Sequence, residues 1–352
     1  MSQGHADYQF SRRTMIRRAG AAAGIAAVAG LPTIPAADAG PDRPKGTVPF
    51  SPVRGGQSDE NRDSPRQPQP FRYSLNTGTI RGQKLPLVEE IQIAAQAGYQ
   101  AIEPWLFEIA DYAGHGGSLG DLRKRIADLG LSVQSVIGFT TWISEEADRG
   151  PGGFEQWKRD FELVAAIGGK RLCAPPSGAA FKAPQDLFQV AKRYRQLVQL
   201  GRLTGVVPQV ELWGQAKTLS RMGEVALVLV EAGLGEGSAV LDIFHIYKGG
   251  SDFGGLRLFN GDALHSFHMN DYPAHPPRAT ATDADRVYPG DGIAPLPAIL
   301  ADLRHIGFGG MLSLEVFNRD YWKQDALTVA RTGLEKMQAC VAKIPADPPP
   351  RS

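Results

Sequence analysis

The chain has 352 residues, and its 38 Lys and Arg nearly balance its 37 Asp and Glu, which gives a formal charge of +1. This balance lacks the basic surplus of nucleic-acid-binding proteins, so we expect no nucleic-acid partner. The two cysteines, Cys173 in a predicted core strand and Cys340 in the predicted last helix, are poorly placed for a disulfide.

The first 39 residues have the features of an export signal. Residues 11–17 (SRRTMIR) resemble the twin-arginine motif, an Ala- and Gly-rich stretch follows, and residues 37–39 (ADA) offer a cleavage site between small residues. A membrane anchor is the alternative, although the apolar stretch is short for a bilayer. We therefore predict that residues 1–39 are a twin-arginine signal peptide, that the Tat translocase is a partner during export, and that the protein is periplasmic or otherwise exported.

The next segment, residues 40–70, is rich in Pro, Gly, Ser, Arg and Asp and has almost no large apolar residue. Such a composition buries too little surface to offset the entropy of ordering, which predicts a disordered linker. Residues 345–352 (PADPPPRS) are predicted to be a disordered tail. Cleavage after residue 39 would remove four arginines and two aspartates, so the charge of the remaining chain stays near zero.

Between residues 71 and 344, short apolar segments alternate with amphipathic helical segments. The predicted strands are RYSLN, QAIEPW, SVQSVIGF, KRLCAP, VPQVELW, AVLDIFHI, LHSFHM and LSLEVF, and a helix is predicted after each of them. Eight such units in about 275 residues predict an α/β fold of the (β/α)8 TIM-barrel type. A doubly wound open sheet is the alternative, but SLNTGTIRG is a poor phosphate-binding turn. The sixth helix, DFGGLRLFNG, is the least regular of the predicted elements.

Four consecutive predicted strands carry a potential metal ligand near their ends: Glu211, Asp242, His268 and Glu315. Each has apolar neighbours on both sides, so the alternation of side chains along a strand should turn the apolar neighbours toward the helices and the ligands toward the barrel interior. Three carboxylates and an imidazole there predict one divalent metal ion, although a carboxylate at a strand end can also be an ion-pair partner. Three oxygen ligands and one nitrogen favour Mn²⁺, with Mg²⁺, Co²⁺ and Zn²⁺ as alternatives.

These ligands and two further motifs resemble the xylose isomerase-like TIM-barrel superfamily, the sugar phosphate isomerases/epimerases. Asp242 and His245 have its D-x-x-H spacing, and residues 286–292 (RVYPGDG) are similar to its R-x-x-P-G-x-G segment. The resemblance covers residues 71–344 and implies a metal-dependent enzyme with a carbohydrate substrate. It also implies that the protein can be a homo-oligomer, because barrels of this superfamily commonly form dimers or tetramers.

The resemblance implies that Glu211 and Glu315 are catalytic as well as metal-binding. A metal that chelates a ketone and the adjacent hydroxyl acidifies the hydrogen between them and stabilises an enediolate, and two carboxylates can then remove and return that proton. This predicts a sugar or keto-sugar isomerase or epimerase, unless the two glutamates are only a structural pair. A dehydratase acting on a keto-sugar or keto-cyclitol shares the first step, and a non-catalytic sugar-binding barrel is the third hypothesis.

Three further residues are predicted to contact the substrate through polar groups. His245, placed further along the strand of Asp242, would donate a hydrogen bond to a substrate oxygen, or would be packed beneath a loop. Arg286 would bind an anionic or hydroxyl group through its forked donors, or would attach the long loop to the barrel. Glu103, in QAIEPW, would face the barrel interior and contact the substrate, or would form an ion pair.

Aromatic and basic side chains complete the predicted substrate site. Trp213 and Trp105 are candidate walls for the apolar face of a sugar ring, although core packing is an alternative for both. Lys217 stands where the ketose 3-epimerases of this superfamily usually carry a glutamate that holds the terminal hydroxyl of the substrate. The lysine favours a substrate that is anionic or more oxidised than a free ketohexose.

Overall fold

A computed structural model describes residues 71–148 and 153–344. The predicted signal peptide, linker and C-terminal tail lie outside the described residues, so these three remain predictions. Within the part of the chain that the structure describes, no helix has the length and apolar character needed to cross a membrane.

One parallel sheet forms the centre of the described chain. Its strands are β1 (Arg72–Asn76), β2 (Ala101–Glu103), β3 (Arg171–Ala174), β4 (Val207–Glu211), β5 (Ser238–Asp242), β6 (Leu264–Met269) and β7 (Met311–Leu314). The strand order is β2-β1-β7-β6-β5-β4-β3, and every ladder is parallel. The first strand pairs with the last, so the sheet curves in the manner of a TIM barrel and the carboxyl ends of the strands meet at one face.

The predicted third strand, SVQSVIGF, is not a regular strand. Its residue Ser132 forms a parallel bridge with Ala101 of β2, and Val136 forms one with Leu172 of β3. The segment therefore links the two edges of the seven-stranded sheet through isolated bridges. The prediction of eight regular strands is wrong at this point, because the segment contacts the β2 side only at Ser132 and Ile137 and β3 only at Val136, through single bridges that do not extend into a ladder.

Ten α-helices surround the sheet in the described ranges: α1 (Leu87–Ala97), α2 (Leu106–Gly114), α3 (Leu119–Asp128), α4 (Phe154–Ala166), α5 (Ala179–Lys182), α6 (Leu187–Gly201), α7 (Met222–Ala232), α8 (Ile243–Gly249), α9 (Leu296–His305) and α10 (Ala326–Ala342). Short 3₁₀ helices lie at Thr77–Gln83, Glu145–Asp148, Phe253–Leu258, Gly261–Ala263, Asp283–Asp285 and Tyr321–Lys323. The helices α2 and α5 were not predicted. Both follow a strand directly at the face where the carboxyl ends of the strands meet.

The region after β5 differs from the prediction. The strand ends at Asp242, whose Oδ1 accepts a hydrogen bond from the backbone N–H of His245 at 2.8 Å. This N-terminal cap starts helix α8 at once, and Gly250, with φ of +77°, ends it. His245 therefore lies in the first turn of a helix and not further along a strand, and the predicted sixth helix is replaced by two 3₁₀ turns.

The hydrophobic core lies between the sheet and the helices. The apolar neighbours of the four predicted ligands are completely buried and belong to this core: Val210, Leu212, Leu241, Ile243, Phe267, Met269, Leu314 and Val316. Their burial confirms the predicted alternation. The charged residues between them consequently point into the barrel, on the side of the sheet opposite the helices and near the carboxyl ends of the strands.

Candidate metal centre and active site

Three of the predicted metal ligands come together at the ends of neighbouring strands. Asp242 ends β5, His268 lies in β6, and Glu315 directly follows β7, where its backbone N–H donates to the carbonyl of Met269 at 3.1 Å. Their ligand atoms all lie within 4.8 Å of one another, and all three residues are buried. His268 Nδ1 is 3.2 Å from Glu315 Oε2 and 3.8 Å from Asp242 Oδ2.

The fourth predicted ligand, Glu211 at the end of β4, lies close to this group but outside its tightest part. Glu211 is 3% exposed, and its Oε2 has no hydrogen-bond partner among the described residues. Burial raises the pKa of Glu211 to about 8, with His268 and a hydrogen bond from Trp213 opposing the shift and Glu315 adding to it. A buried carboxylate oxygen without a partner, beside two further carboxylates and an imidazole, fits a divalent cation.

Glu103, at the end of β2, contacts the ring nitrogen of His268 that faces away from Asp242 and Glu315. Its Oε2 lies 3.0 Å from His268 Nε2, and its oxygens accept hydrogen bonds from Ser313 at 2.7 Å, Asn76 at 2.9 Å and Ser266 at 3.1 Å. Burial alone would raise the pKa of Glu103, but His268 and the hydroxyl groups lower it to about 2. Glu103 thus forms an ion pair that directs the other ring nitrogen of His268 toward the ligand group.

Arg286 is a completely buried cation within the ligand group. Its Nη1 donates to Asp242 Oδ2 and Glu315 Oε2, both at 2.9 Å, and its Nη2 donates to Asp283 Oδ1 at 2.6 Å. The Nη2 atom also lies 3.1 Å from Nε2 of His245. The guanidinium therefore neutralises part of the carboxylate charge and connects the ligands to the long loop that follows β6.

A single carboxylate organises that loop. Asp271 Oδ1 accepts from the backbone N–H groups of Tyr272 at 2.8 Å and Ala294 at 2.9 Å, and Oδ2 accepts from Gly290 at 3.0 Å and Gly292 at 3.1 Å. A Cβ at position 292 would collide with this carboxylate, and Gly290 has φ of +89°. These contacts are the physical reason for the two glycines of the RVYPGDG segment.

The same aspartate fixes the chain beside Arg286. The backbones of Asp271 and Val287 exchange two hydrogen bonds, at 2.9 and 3.0 Å, in an antiparallel bridge. Since Val287 directly follows Arg286, this bridge and the carboxylate contacts determine where the guanidinium enters the ligand group.

His245 is buried with its Nε2 beside Arg286, and its Nδ1 has no hydrogen-bond partner in the described part of the chain. Burial lowers the pKa of His245 to about 4, and the charge of Arg286 adds to this effect, whereas Asp242 opposes it. The imidazole is therefore neutral at physiological pH and can donate or accept a hydrogen bond without adding charge.

Four aromatic side chains, Trp105, Phe139, Trp213 and Phe317, form what we call the aromatic collar. Its ring centroids are 5.0 Å apart for Trp105 and Phe139, 6.0 Å for Phe139 and Trp213, and 6.0 Å for Trp105 and Phe317. The Trp213 ring lies 6.4 Å from the ring of His245. The collar thus lies beside the metal-site residues, and its two tryptophans are almost fully buried, as the packing alternative for Trp105 and Trp213 requires.

Lys217 lies on the loop after β4, next to the collar. It is exposed, and its backbone N–H donates to the carbonyl of Phe181, whose ring is 6.1 Å from the ring of Trp213. The structure therefore places Lys217 at the edge of the site and away from the buried ligand group.

Sequence reasoning missed several residues of this site. Asn270 Nδ2 donates to Asp242 Oδ2 at 2.8 Å, and Asn76 Nδ2 donates to Glu315 Oε1 at 3.1 Å. Asn76 ends a predicted strand and Asn270 directly follows one, so the position that identified the four ligands could also have identified these asparagines. Asp271 and Asp283 carried no comparable signal, because both lie in the long segment between β6 and α9, outside the predicted strands and helices.

The fold and the site define an α/β barrel-like protein with a candidate metal centre at the carboxyl ends of its strands. The profile of the family described as "Xylose isomerase-like TIM barrel" matches residues 91–340. The chain belongs to this family, as the ligand spacing indicated.

Named relatives indicate an enzyme of the metal-dependent, sugar isomerase/epimerase-like kind. The chain is 29% identical over 261 residues to an inosose isomerase of Bacillus velezensis, a match that covers 73% of this chain and 92% of that protein. It is 28% identical over 277 residues to a 3-dehydroshikimate dehydratase of Pseudomonas aeruginosa, covering 76% of this chain and 41% of the dehydratase. The chain therefore spans less than half the length of that second relative.

A solved structure shares the fold. The crystal structure described as the IOLI protein with a binding zinc atom has a TM-score of 0.70 and 22% sequence identity. The superposition covers 79% of this chain and all of the other. At this identity the similarity establishes the TIM-barrel-like architecture.

Proposed function

We propose that this protein is a divalent-metal-dependent isomerase or epimerase that moves a proton beside the ketone of a cyclic keto-sugar or keto-cyclitol. The observation that carries the proposal is the contrast between two buried carboxylates beside one ligand group. Glu315 is held by Arg286, Asn76 and His268, whereas Glu211 Oε2 has no partner in the described residues. An unpartnered carboxylate beside the metal ligands is suited to accept a proton.

In this proposal Glu211, Asp242, His268 and Glu315 would hold the metal, with Mn²⁺ as the first choice. The ion supplies Lewis-acid polarisation of a ketone and its neighbouring hydroxyl when bound. Zn²⁺ is the alternative, because the structural relative is described with a bound zinc atom.

The residues of this chain would then divide the remaining work. Glu211, ionised by contact with the bound metal, would remove the proton from the carbon next to the ketone, and Glu315, after taking up a proton from solvent, would return one. His245, neutral and buried, would hydrogen-bond a substrate oxygen through Nδ1, and the positive charge of Arg286, whose Nη donors are already used, would stabilise negative charge that develops on the substrate. The aromatic collar would cover the apolar face of the ring and exclude water from the proton being moved.

A ring ketone is favoured over an open-chain ketose by two observations. The match to the inosose isomerase covers 92% of that protein, and the name of that protein describes a keto-cyclitol substrate. The collar lies next to the ligand group, and aromatic rings pack well against the apolar face of a six-membered ring.

A dehydratase is the second candidate, because the 3-dehydroshikimate dehydratase is similar to this chain at nearly the same identity. Both reactions begin when a proton leaves the carbon beside a ketone. They differ in the second step, since the dehydratase loses water from the next carbon, so the product distinguishes the two.

The test is deuterium exchange. Full-length protein loaded with Mn²⁺ is incubated in D₂O with a keto-inositol, a keto-glycoside and 3-dehydroshikimate, and the compounds are followed by NMR. We expect deuterium beside the ketone of at least one compound, and we expect Glu211→Gln to slow this exchange by about 10²–10⁴-fold. Glu155→Gln, an exposed position on α4, is the matched control.

Two results would contradict the proposal. Exchange that persists at the normal rate in Glu211→Gln would exclude this residue as the base. An absence of exchange with every compound would favour the non-catalytic sugar-binding barrel.

We also propose export through the predicted signal peptide. The support is the SRRTMIR motif and the cleavage site after residue 39. Residues 1–39 fused to a fluorescent reporter should send it to the periplasm of a bacterial host, and replacing Arg12 and Arg13 by Lys should retain it in the cytoplasm. A periplasmic reporter in the double variant would show that the twin arginines are not required.

A further inference from the structure

We infer that Asn76, the last residue of β1, is a positioning residue that holds Glu315 where it can return the proton to the substrate. The inference rests on the proposed function, because it explains how one of the two proposed catalytic carboxylates is kept in place. Asn76 is completely buried, and it is neither a candidate metal ligand nor one of the predicted substrate contacts.

The parallel ladders place Asn76 between two acidic side chains. Asn76 is paired with Glu103 in the ladder of β1 and β2. In the ladder on the other side, Leu75 is paired with Leu314, so Glu315, the next residue, lies beside Asn76. Two buried carboxylates therefore flank position 76 at the same level of the sheet, and the side chain between them determines how they are held.

The amide group of Asn76 bridges these two carboxylates. Its Nδ2 donates to Glu103 Oε2 at 2.9 Å and to Glu315 Oε1 at 3.1 Å. An amide has two N–H donors and no charge, so it can satisfy one oxygen of each carboxylate without adding to the charge of the site. The bridge thereby fixes the distance between Glu103 and Glu315.

His268 joins the same two carboxylates from the other side. Its Nε2 lies 3.0 Å from Glu103 Oε2, and its Nδ1 lies 3.2 Å from Glu315 Oε2. The contacts form a closed four-residue cycle of Asn76, Glu103, His268 and Glu315. Glu211, the proposed base, is not a member of this cycle, so a change at Asn76 should displace Glu315 and leave the base in place.

The oxygen of the same amide fixes its orientation. Asn76 Oδ1 accepts from the indole Nε1 of Trp105 and from the backbone N–H of Gly78, both at 2.9 Å. The reversed amide would place its oxygen against two carboxylates and its N–H groups against two donors, so only one orientation is satisfied. A Cβ at position 78 would collide with Asn76 Oδ1, and the glycine therefore permits this close approach.

The four-residue cycle separates two fates of the substrate in the proposed reaction. After Glu211 has taken the proton and exchanged it with solvent, it can give a deuteron back to the same carbon, which yields deuterium exchange without conversion. If protonated Glu315 gives its proton instead, the product forms. Because Asn76 holds the second of these carboxylates, its loss should slow conversion more than exchange.

The test measures both rates with one substrate. Full-length protein saturated with Mn²⁺ is incubated with a keto-inositol in D₂O, and NMR follows deuterium in the remaining substrate and the amount of product. Asn76→Ser keeps an acceptor for the N–H of Gly78 but is too short to bridge the two carboxylates. We expect it to slow conversion by about 10–100-fold and exchange by no more than about threefold.

Mn²⁺ binding gives a second readout that does not depend on turnover. Calorimetric titration of metal-free Asn76→Ser should show about 10-fold weaker Mn²⁺ binding than the wild type, because the group that orients a ligand is lost. Asn260→Ser is the matched control, since Asn260 also caps a 3₁₀ helix and its Oδ1 accepts from the backbone N–H of Asp262 at 3.0 Å. The control should change neither rate and should bind Mn²⁺ normally.

Trp105→Phe tests the same link with a smaller change. It keeps an aromatic ring in the collar and removes the indole donor to Asn76 Oδ1. We expect conversion to slow by about 3–10-fold relative to exchange, as the loss of one neutral hydrogen bond implies. Thermal unfolding shows which variants are folded, and this variant decides the question if Asn76→Ser is not.

The outcomes separate the inference from the proposed function. If the folded variant slows exchange and conversion by the same factor, or changes neither, Asn76 only supports the fold and the inference is wrong. Deuterium exchange by the wild type would in that case still support the proposed function. If the wild type exchanges no deuterium into a keto-inositol, a keto-glycoside or 3-dehydroshikimate, the proposed function fails, and the role of Asn76 in proton return fails with it.

Discussion

Glu103 and Glu90 are both almost fully buried, and the groups around them determine what each carboxylate does. Glu103 accepts three side-chain hydrogen bonds and pairs with His268, so its pKa is held at about 2 despite burial. Glu90, on α1, has an Oε2 that no described residue contacts by a hydrogen bond. Burial, with a smaller contribution from Glu108, raises the pKa of Glu90 to about 10. Glu103 therefore stabilises the site, whereas the burial of Glu90 lowers the stability of the fold.

The substitution Glu103→Gln tests the first role. The amide keeps the size of the side chain but removes the charge that orients His268, so we expect the affinity for Mn²⁺ to fall by about 10–100-fold. Calorimetric titration of the metal-free protein with Mn²⁺ measures the change. Glu236→Gln, an exposed position paired with Arg202, serves as control. An unchanged Mn²⁺ affinity would mean that Glu103 only satisfies the surrounding hydroxyl groups.

The substitution Glu90→Gln tests the second role through the pH dependence of stability. Because the folded-state pKa of Glu90 is raised from 4.5 to about 10, its contribution to stability is fully present below pH 4.5 and declines as the pH rises toward 10. The variant should therefore be more stable than the wild type at pH 8, by an amount on the order of 1 kcal/mol, and should show no such gain at pH 4.

Urea unfolding at the two pH values measures this difference. Glu89→Gln, an exposed neighbour on the same helix, is the control and should show no comparable dependence on pH. A gain of equal size at pH 4 and pH 8 would show that the effect does not come from ionisation of Glu90.

At the scale of elements, the loop after β6 controls the placement of Arg286. Asp271→Ala removes four hydrogen-bond acceptor contacts from this loop, so the guanidinium should move out of position and deuterium exchange should slow by roughly 10²-fold. If Asp271 acts only through Arg286, the double variant with Arg286→Ala should be no slower than Arg286→Ala alone. Asp252→Ala, which removes the cap of the Phe253–Leu258 helix, should leave exchange unchanged.

One outcome of this double-variant comparison would contradict a role of Asp271 in positioning Arg286. If Asp271→Ala slows exchange by the same factor with and without Arg286, the two effects are additive. Asp271 would then support the fold of the loop without positioning the guanidinium.

The sequence predicted the elements whose signal is local and periodic. The buried neighbours of Glu211, Asp242, His268 and Glu315 made the alternation visible, so the side of the sheet that each ligand faces could be read from the pattern. The segment SVQSVIGF was predicted as a regular strand because its composition fits one, but its pairing depends on two distant strands. Helix α8 was missed because AVLDIFHI is apolar apart from Asp242 and His245 and resembles a strand. The cap formed by Asp242 outweighs the strand propensity of the residues after it.

The site was predictable only in its outline. Strand-end residues identified the four candidate ligands, and the RVYPGDG segment identified Arg286. The contacts of Asp271 and Asp283 depend on a fold of the loop that no short-range pattern encodes, so these two residues could not be found. For Glu103, the sequence left an ion pair and a substrate contact open, and only the distance of 3.0 Å to His268 shows the ion pair.

At the scale of the whole molecule, we expect the protein to remain folded when its metal is removed. Arg286 and His268 place positive charge among the carboxylates, and the core extends around the whole sheet. Chelation should leave the far-ultraviolet circular dichroism unchanged and lower the melting temperature by roughly 5–10 °C, as the loss of a ligand held at 100 times its Kd implies.

Thermal scans with EDTA, and with Mn²⁺ restored, measure this shift. Asp242→Asn should unfold at the same temperature with and without Mn²⁺, since it lacks a ligand. A loss of secondary structure on chelation would contradict the expectation and make the metal part of the fold.

The attachment of the loop after β6 also bears on how such a protein can diversify. Both ends of the loop are fixed, at Asp271 and at residues 287–294, by contacts that involve mainly backbone groups and one carboxylate. The intervening segment, residues 273–282, is held separately, mainly by Lys248 Nζ donating to the carbonyls of Arg278, Ala279 and Ala281. Because these acceptors are backbone groups, the side chains of the segment can change while its ends, and the arginine they place, stay where they are. Evolution or design can vary this segment to admit a new substrate while the candidate metal ligands and Arg286 stay in place.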